Sequence, residues 1–341
     1  MHIIDIGDYM FKPKAIYYEK NILNYTLGKE LLEKYKDIPK IEIESHNNIE
    51  ALRKKENKEF PLLKQNLIIG VRKTLKFVPN YKVSNYLVPY TSSGCIAMCM
   101  YCYLVCHYNK CSYLRLFVNR EDIMNKIMKI QEKSEKDLVF EIGSNSDLIL
   151  ENTITNNLIW TIEEFSKTES GFLTFPTKFH MVEPILNLRG KEKIIIRVSL
   201  NPEYIINNVE FGTSKLRDRL NAIKKLKDAG YKVGILVAPI ILIDNYKKLY
   251  EDLFITIKNE LDKYYLKDIF FELIFMTYSY VHNIINSEAF PKSFKIYDKN
   301  KFISRGKGKY IYKKEIKEDA TIFFKQMMSK YFPKNKIWYI V

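Results

Sequence analysis

The feature that most constrains this chain is a cysteine-rich stretch at residues 91–119, which holds all five cysteines of the 341-residue sequence. Three of them, Cys95, Cys99 and Cys102, follow the pattern C-x-x-x-C-x-x-C, with Tyr101 directly before the third. Thiolates at these offsets on one short loop can fold over a cubane and ligate three of its four irons. The fourth iron is then open to a small chelating molecule.

Zinc and disulfides are the other interpretations of these cysteines. A zinc site needs four closing ligands, and Cys106, Cys111 or His107 would complete one. Disulfides fit poorly, because the cysteine number is odd and nothing before the stretch resembles a signal peptide. The offsets depart from the ordinary zinc pattern and are the signature of radical S-adenosylmethionine enzymes. We therefore favour an iron–sulfur cluster.

The charge of the chain points to a polyanionic partner. Lys and Arg exceed Asp and Glu by fifteen, and nucleic acid is the commonest polyanion. An AT-biased genome also favours lysine, isoleucine and asparagine codons, and the resulting lysines would give the same net charge on an ordinary solvated surface. Both explanations of the charge stay open. No window approaches the roughly 18 uninterrupted apolar residues of a transmembrane helix, and we expect no membrane association.

From residue 84 onward, apolar runs alternate with helical patterns. The runs are continuous rather than alternating, which predicts strands covered on both faces, as in a parallel sheet. The predicted strands are residues 86–90, 138–143, 172–176, 194–200, 233–240 and 269–275. The predicted helices between them are residues 121–135, 153–167, 182–188, 215–229 and 246–261. Six such units are too few for an eight-fold closed barrel and predict an α/β fold with a partial (β/α)6 barrel.

Three segments are expected along the chain. Residues 1–82 form an N-terminal extension packed on the barrel, with a helix at 21–35 and strands at 40–44 and 67–71. Residues 83–280 form the barrel. Residues 281–341 form a C-terminal segment that ends in an amphipathic helix at 316–331 and a strand at 336–340.

Polar residues recur where the predicted strands end, the edge at which parallel barrels place their sites. Ser146 follows the second strand, Lys178 the third, Ser199 and Asn201 the fourth, and Ala238 lies at the fifth. We expect Lys178 to pair with the carboxylate of S-adenosylmethionine, and Ser199 and Asn201 to bond its ribose hydroxyls. Each residue alone is also an ordinary cap or turn residue, but their recurrence at one rim favours binding.

Residues 299–314 are basic, rich in aromatic side chains and interrupted by two glycines. This composition predicts a basic hairpin suited to a nucleic-acid backbone and an unstacked base. Edge lysines that prevent aggregation would look similar, but the net charge of the chain favours nucleic acid. The residues expected to contact DNA are Arg305, Lys307, Lys309 and Tyr310.

Several short blocks follow one another along the chain: GVRKTLKF at 70–77, CYL at 102–104, TKFH at 177–180, API at 238–240, FELI at 271–274 and GKYIY at 308–312. Together they resemble the spore photoproduct lyase family, along nearly the whole chain. The resemblance implies repair of 5-thyminyl-5,6-dihydrothymine, a thymine dimer that ultraviolet light forms in dormant spore DNA. It also implies a 4Fe–4S cluster and S-adenosylmethionine as cofactors, a flavodoxin- or ferredoxin-type electron donor, and a location in the cytoplasm of the spore core. We expect a monomer, because no coiled-coil repeat is present.

The resemblance further implies a radical mechanism. The cluster would donate one electron to S-adenosylmethionine, releasing methionine and a 5′-deoxyadenosyl radical that takes a hydrogen from the saturated ring of the dimer. The crosslinking bond then breaks, and a cysteine of the family gives a hydrogen to the thymine radical. Two tyrosines, which we place at Tyr101 and Tyr103, would return the radical to 5′-deoxyadenosine. The dimer must be turned out of the duplex, which costs less for a poorly stacked lesion.

The sequence departs from the family at the hydrogen-donating cysteine, whose position reads Ser144. An alcohol O–H bond is stronger than a thiol S–H bond, so serine cannot take over that role. Three explanations stay open: another thiol, Cys106 or Cys111, reaches the radical; a tyrosine quenches it; or the reaction has changed. We favour Cys106, which lies four residues after Cys102, although both thiols also suit plain packing positions.

A second departure lies on the hairpin, where the family's Arg-Tyr pair reads Ser304-Arg305, so Arg305 would replace the arginine from a neighbouring position. The leading interpretation is a DNA-repair lyase that reverses the spore photoproduct. One alternative is a related enzyme with another nucleic-acid or small substrate. The other is a non-catalytic, metal-stabilised protein that binds nucleic acid.

Overall fold

The computed structural model describes residues 11–107 and 113–341, apart from the side chains of residues 106 and 107. Within these ranges the strands are β1 (Ala15–Glu19), β2 (Lys40–Ile43), β3 (Asn66–Gly70), β4 (Val78–Pro79), β5 (Tyr86–Leu87), β6 (Ser92–Ser93), β7 (Met98–Cys99), β8 (Leu114–Phe117), β9 (Val139–Glu141), β10 (Phe172–Thr177), β11 (Ile194–Leu200), β12 (Glu210–Phe211), β13 (Lys232–Ile240), β14 (Phe270–Phe275), β15 (Tyr278–Ser279), β16 (Phe302–Gly306), β17 (Lys309–Tyr312) and β18 (Lys336–Ile340).

The α-helices of the same ranges are α1 (Thr26–Lys34), α2 (Glu50–Arg53), α3 (Phe60–Leu63), α4 (Leu104–His107), α5 (Arg120–Glu132), α6 (Leu148–Thr155), α7 (Asn157–Phe165), α8 (Glu203–Val209), α9 (Leu216–Asp228), α10 (Tyr246–Glu260), α11 (Lys263–Leu266), α12 (Tyr280–Ala289) and α13 (Lys314–Tyr331). Short 3-10 helices lie at Lys20–Asn24, Asn57–Glu59, Glu183–Ile185 and Lys191–Lys193.

The largest sheet is the predicted partial barrel. Its strand order is β18-β14-β13-β11-β10-β9-β5-β4, and the six strands from β5 to β14 in this order are parallel and correspond to the six predicted ones. The final strand β18 adds a seventh parallel strand beside β14, and β4 pairs antiparallel to β5 at the other edge. The fold class predicted from the apolar runs is confirmed.

Burial explains why these segments form a parallel sheet. All but one residue of β11 are buried, because helices cover the outer face and the barrel interior covers the other. Helix α9 turns Leu220, Ile223 and Leu226 toward the core at helical spacing. The six strands therefore end at one common rim, and the loops that follow them meet there.

The helix expected at 21–35 is a 3-10 helix, Lys20–Asn24, followed by α1, and three predicted elements of the barrel also differ from the structure. The helix expected at 153–167 is two helices, α6 and α7, because Asn156 between them adopts a left-handed conformation with φ of 55°. The helix expected at 182–188 is a single 3-10 turn, with Pro184 at its start. The strand expected at 86–90 covers only β5, since Pro89 has no amide hydrogen to continue the ladder.

A second sheet, of order β2-β1-β3-β8-β6, carries the N-terminal part of the chain, and a three-stranded sheet, β15-β17-β16, carries the predicted hairpin. The second sheet takes β6 and β8 from beyond residue 83, while the barrel takes β18 from beyond residue 281. Strand pairing thus crosses both expected boundaries, and the three-part division of the chain stays a prediction. Of the described helices, none is both long and apolar enough to cross a membrane.

Candidate active site

The cysteine loop follows the first barrel strand, and backbone pairing with a distant segment of the chain holds it in place. Strand β7 pairs antiparallel with β12, which places Cys99 opposite Glu210. The amide of Met100 also donates to the carbonyl of Val209 at 3.0 Å. Cys95, Cys99 and Cys102 are free thiols, and all three line one cavity of about 350 Å³ at the strand rim. The structure therefore brings the three predicted ligands together.

The three cysteines are partly exposed, and the surroundings of two of them disfavour a thiolate. Burial raises the pKa of Cys95 to about 12 and also raises the pKa of Cys99, whose increase is reinforced by the negative charge of Glu210. Within residues 11–107 and 113–341, no three His, Cys, Asp or Glu side chains converge closely enough to hold one metal ion. A cubane does not need such convergence, because each thiolate binds a different iron.

Glu210 is the centre of the polar network behind the cavity, and it is fully buried. Its carboxylate accepts hydrogen bonds from the hydroxyl of Tyr101, from Asn201 Nδ2 at 2.8 Å and from Arg219 Nη2 at 2.7 Å. Lys178 Nζ completes the set at 3.2 Å. Two cations and two neutral donors thus surround one buried carboxylate.

The network fixes the charge states of its members. Burial alone would raise the pKa of Glu210, but the charges of Lys178 and Arg219, together with the hydrogen bonds it accepts, lower that pKa to about 2. Burial and the negative charge of Glu210 raise the pKa of Tyr101 well above its ordinary value. At neutral pH, Glu210 is therefore ionised and Tyr101 keeps its phenolic proton.

Lys178 lies at the end of β10, where the sequence predicted it, and its ammonium reaches across the rim. It donates to Ser199 Oγ at 2.6 Å and to the carbonyl of Ala238 at 2.8 Å. The turn before it is fixed by Asp147, which accepts from the amide of Lys178 at 2.8 Å and from the hydroxyl of Thr177. Three successive strand ends are joined in this way around one cation.

Ser146 provides an observation that fits a bound polar molecule. Its hydroxyl is buried in the cavity wall and has no hydrogen-bond partner within the described residues. A buried polar group without a partner is costly, and a ligand with a donor or acceptor at that point would satisfy it. The amino acid and ribose of S-adenosylmethionine offer such groups, so the residues present fit this cofactor.

The remaining predicted residues are distributed around this cavity. Ser144 lines the wall, and Tyr103 lies at the opening with 47% of its surface exposed. Asn201 is completely buried behind the wall, where it donates to Glu210 and accepts from the hydroxyl of Tyr250 at 3.1 Å. Cys106 belongs to α4, but its side chain and the whole of Cys111 lie outside the described residues.

The basic hairpin is joined directly to this cavity. Phe275, Met276 and Thr277 line the cavity, and the next residues form β15, which pairs with β17 of the hairpin. The hairpin turn contains positive φ angles at residues 306–308, which explains its two glycines. The predicted DNA-contacting residues are three exposed cations and one half-buried tyrosine: Arg305, Lys307, Lys309 and Tyr310.

Sequence reasoning missed Glu210 and Arg219. Only Arg219 carried a recognisable signal, because it occupies the core-facing stripe of α9 beside Leu216 and Leu220. It also missed Lys64, a buried lysine from the N-terminal segment that donates to the carbonyl of Cys95 at 2.8 Å. Nothing local in the sequence marks that position.

A partial parallel barrel with three thiols on the loop after its first strand, and polar side chains at its other strand ends, is the architecture of radical S-adenosylmethionine proteins. Residues 11–341 match the family model described as spore photoproduct lyase. The spore photoproduct lyases of Geobacillus sp. (strain Y412MC61) and Bacillus subtilis (strain 168) are each 33% identical over 338 residues, covering 96% of this chain and 98% of the relative. The chain belongs to the spore photoproduct lyase family.

Solved structures give the same result. A spore photoproduct lyase complexed with dinucleoside spore photoproduct superimposes with a TM-score of 0.90 at 33% identity, covering 97% of this chain and 99% of that one. A mutant spore photoproduct lyase with bound AdoMet and dinucleoside spore photoproduct matches with the same TM-score, identity and coverage. The fold of this chain is thus shared with a protein that binds the dinucleoside and with one that binds both molecules.

Proposed function

We propose that this protein is a radical S-adenosylmethionine lyase that reverses the spore photoproduct in DNA to two thymines. The observation that carries the proposal is the single cavity at the strand rim, in which the three cysteines face Lys178 and Ser146. The relatives that contain the dinucleoside and AdoMet support the same substrate and cofactor.

The residues of the cavity have separable binding roles. Cys95, Cys99 and Cys102 hold a 4Fe–4S cluster, which with S-adenosylmethionine supplies an electron and an organic radical. Lys178 pairs with the carboxylate of the cofactor, and the hydroxyls of Ser146 and Ser199 bond its polar groups.

The carbonyl of Ala238 holds Lys178 in place, as its 2.8 Å contact indicates. Asn201 acts from behind the wall, by orienting the carboxylate of Glu210.

Tyr101 and Tyr103 are proposed as the hydrogen-transfer pair. The phenol of Tyr101 is held by Glu210, so its ring has a fixed orientation at the cavity wall. Tyr103 lies at the opening and is positioned to face the substrate side. A fixed inner phenol and a more exposed outer one suit transfer in two steps between substrate and cofactor.

The hydrogen donor to the thymine radical is proposed to be Cys106. Ser144 occupies the cavity wall, where a thiol would be well placed, and it cannot serve because its O–H bond is too strong. A Cys106→Ala variant should lose clean thymine formation. A Cys106→Ala/Ser144→Cys double variant should recover it, because a thiol returns to the cavity wall.

The DNA substrate is proposed to bind across the hairpin, with Arg305, Lys307 and Lys309 on phosphates and Tyr310 beside an unstacked base. A flavodoxin- or ferredoxin-type protein is proposed as the electron donor, and a monomer of the spore-core cytoplasm as the working form. The three-segment division of the chain fits these roles, with the hairpin as its DNA-binding part.

The deciding experiment is an anaerobic assay of reconstituted protein with a synthetic thymine-dimer dinucleotide, S-adenosylmethionine and dithionite. Thymidine-phosphate-thymidine as the main product would establish the lyase. If the cofactor is cleaved while the dimer stays intact, the enzyme acts on another substrate, which is the alternative that Ser144 favours. If no cofactor is cleaved by protein with a full cluster, the proposal is wrong.

A further inference from the structure

Lys64 holds a positive charge in a place where lysine is rarely found. It follows α3 in the N-terminal segment, and only 1% of its surface is exposed. Its ammonium donates to the carbonyl of Cys95 at 2.8 Å and lies 5.1 Å from the ring centre of Phe60. Lysine is almost never fully buried unless its charge is compensated.

The charge of Lys64 lies beside the cysteine loop. Burial lowers its pKa, and the positive charge of Arg115 acts in the same direction. Cys102, Cys95 and Cys99, all three predicted cluster ligands, act in the opposite direction and raise that pKa. A cation is thus kept at a costly position beside the three thiols.

Other side chains also contact backbone carbonyls of the cysteine loop. From α12, His282 Nε2 lies 2.9 Å from the carbonyl oxygen of Cys102, and Asn286 Nδ2 donates to the carbonyl of Met100 at 2.8 Å. Asn286 shows that a neutral side chain can hold a backbone carbonyl of this loop, whereas Lys64 brings a full positive charge to the carbonyl of Cys95.

We propose that Lys64 is the counter-charge of the iron–sulfur cluster: its buried ammonium stabilises the anionic cluster, most strongly after one-electron reduction, and so raises the reduction potential. Net charge and hydrogen bonds at the sulfur ligands are the means by which proteins set cluster potentials. A charge in a water-poor interior acts strongly on groups close to it. The inference rests on the proposed function, because it requires a cluster on Cys95, Cys99 and Cys102.

The test is the midpoint potential of the reconstituted cluster in full-length protein, followed by electron paramagnetic resonance at fixed potentials. Lys64→Gln removes the charge and keeps a donor for the Cys95 carbonyl. We expect the equilibrium constant for reduction to fall about tenfold or more, which is about 59 mV for a one-electron couple. Lys64→Arg keeps the charge and should stay near the wild-type potential.

Lys34→Gln is the control, because the ammonium of Lys34 also donates to a backbone carbonyl, that of Ile154 at 2.7 Å, but lies away from the cysteines. It should leave the potential unchanged. Poor cluster loading in Lys64→Gln that Lys64→Arg restores would also support the counter-charge.

An unchanged potential in Lys64→Gln with a complete cluster overturns the inference, as does an equal fall in Lys64→Arg. Failure of cluster-free Lys64→Gln to fold also overturns it, because Lys64 would then be a structural residue. If wild-type protein assembles no 4Fe–4S cluster, the proposed function itself fails, which separates the two ideas.

Discussion

Replacement of Glu210 by glutamine tests whether the buried network behind the cavity is held together by charge. The pKa of Glu210 is about 2 in the folded protein against an ordinary 4.5. At about 1.4 kcal/mol per pKa unit, this difference is worth about 3 kcal/mol of folding free energy. Removing one member of a buried ion pair costs a similar roughly 3–5 kcal/mol, because Lys178 and Arg219 lose their compensating charge.

The assay is equilibrium urea unfolding of cluster-free protein, comparing wild type with Glu210→Gln. At pH 7 the variant should be less stable by about 3 kcal/mol. Because the pKa is depressed on folding, the difference should be constant above about pH 4.5 and shrink as the pH falls toward 2.

The control is Glu183→Gln. Glu183 forms an exposed surface ion pair with Lys225, and this pair should contribute less than about 1 kcal/mol to the free energy of unfolding. A loss of less than about 1 kcal/mol in the free energy of unfolding of Glu210→Gln at pH 7 would refute the reasoning. Removal of a buried carboxylate from between two cations should cost more than that.

Three further results are expected. Lys178→Met should weaken S-adenosylmethionine binding about 10- to 100-fold in calorimetric titration, because a charge-assisted hydrogen bond is worth about 1.5–3 kcal/mol; Lys34→Met should not weaken it. Alanine at Lys307 or Lys309 should lower the salt dependence of duplex binding by about 1 in the log–log slope, because each substitution removes one cation from a phosphate. Lys248→Ala, on a lysine paired with Asp252, should leave that slope unchanged. Cys99→Ala should remove the broad visible absorption of thiolate-bound iron, and retention of that absorption would exclude Cys99 as a ligand.

Local pattern was sufficient wherever the physics is local. The apolar runs predicted all six parallel strands, since a strand covered on both faces must be apolar on both. The cysteine offsets predicted three thiols around one cavity, because a short loop limits how far they can separate. Local pattern failed at Asn156, where one residue in a left-handed conformation divides a helix that periodicity alone joins.

Pairings between distant segments needed the tertiary structure. Glu210 meets Tyr101 across 109 positions, and Lys64 meets the carbonyl of Cys95 across 31. The pairing of β18 with β14 at the barrel edge could not be predicted from the sequence either. Strand pairing depends on an available edge and not on the sequence of the strand alone.

The sequence by itself thus determined the partial barrel, the cysteine loop and the rim at which the site lies, because hydrophobic periodicity and short-range spacing are properties of neighbouring residues. Only the tertiary structure decided which charges are buried together. The free energy of a buried carboxylate or ammonium depends on desolvation and on partners brought from elsewhere in the chain. Glu210 between Lys178 and Arg219, and Lys64 beside the cysteines, are the places where that difference matters most.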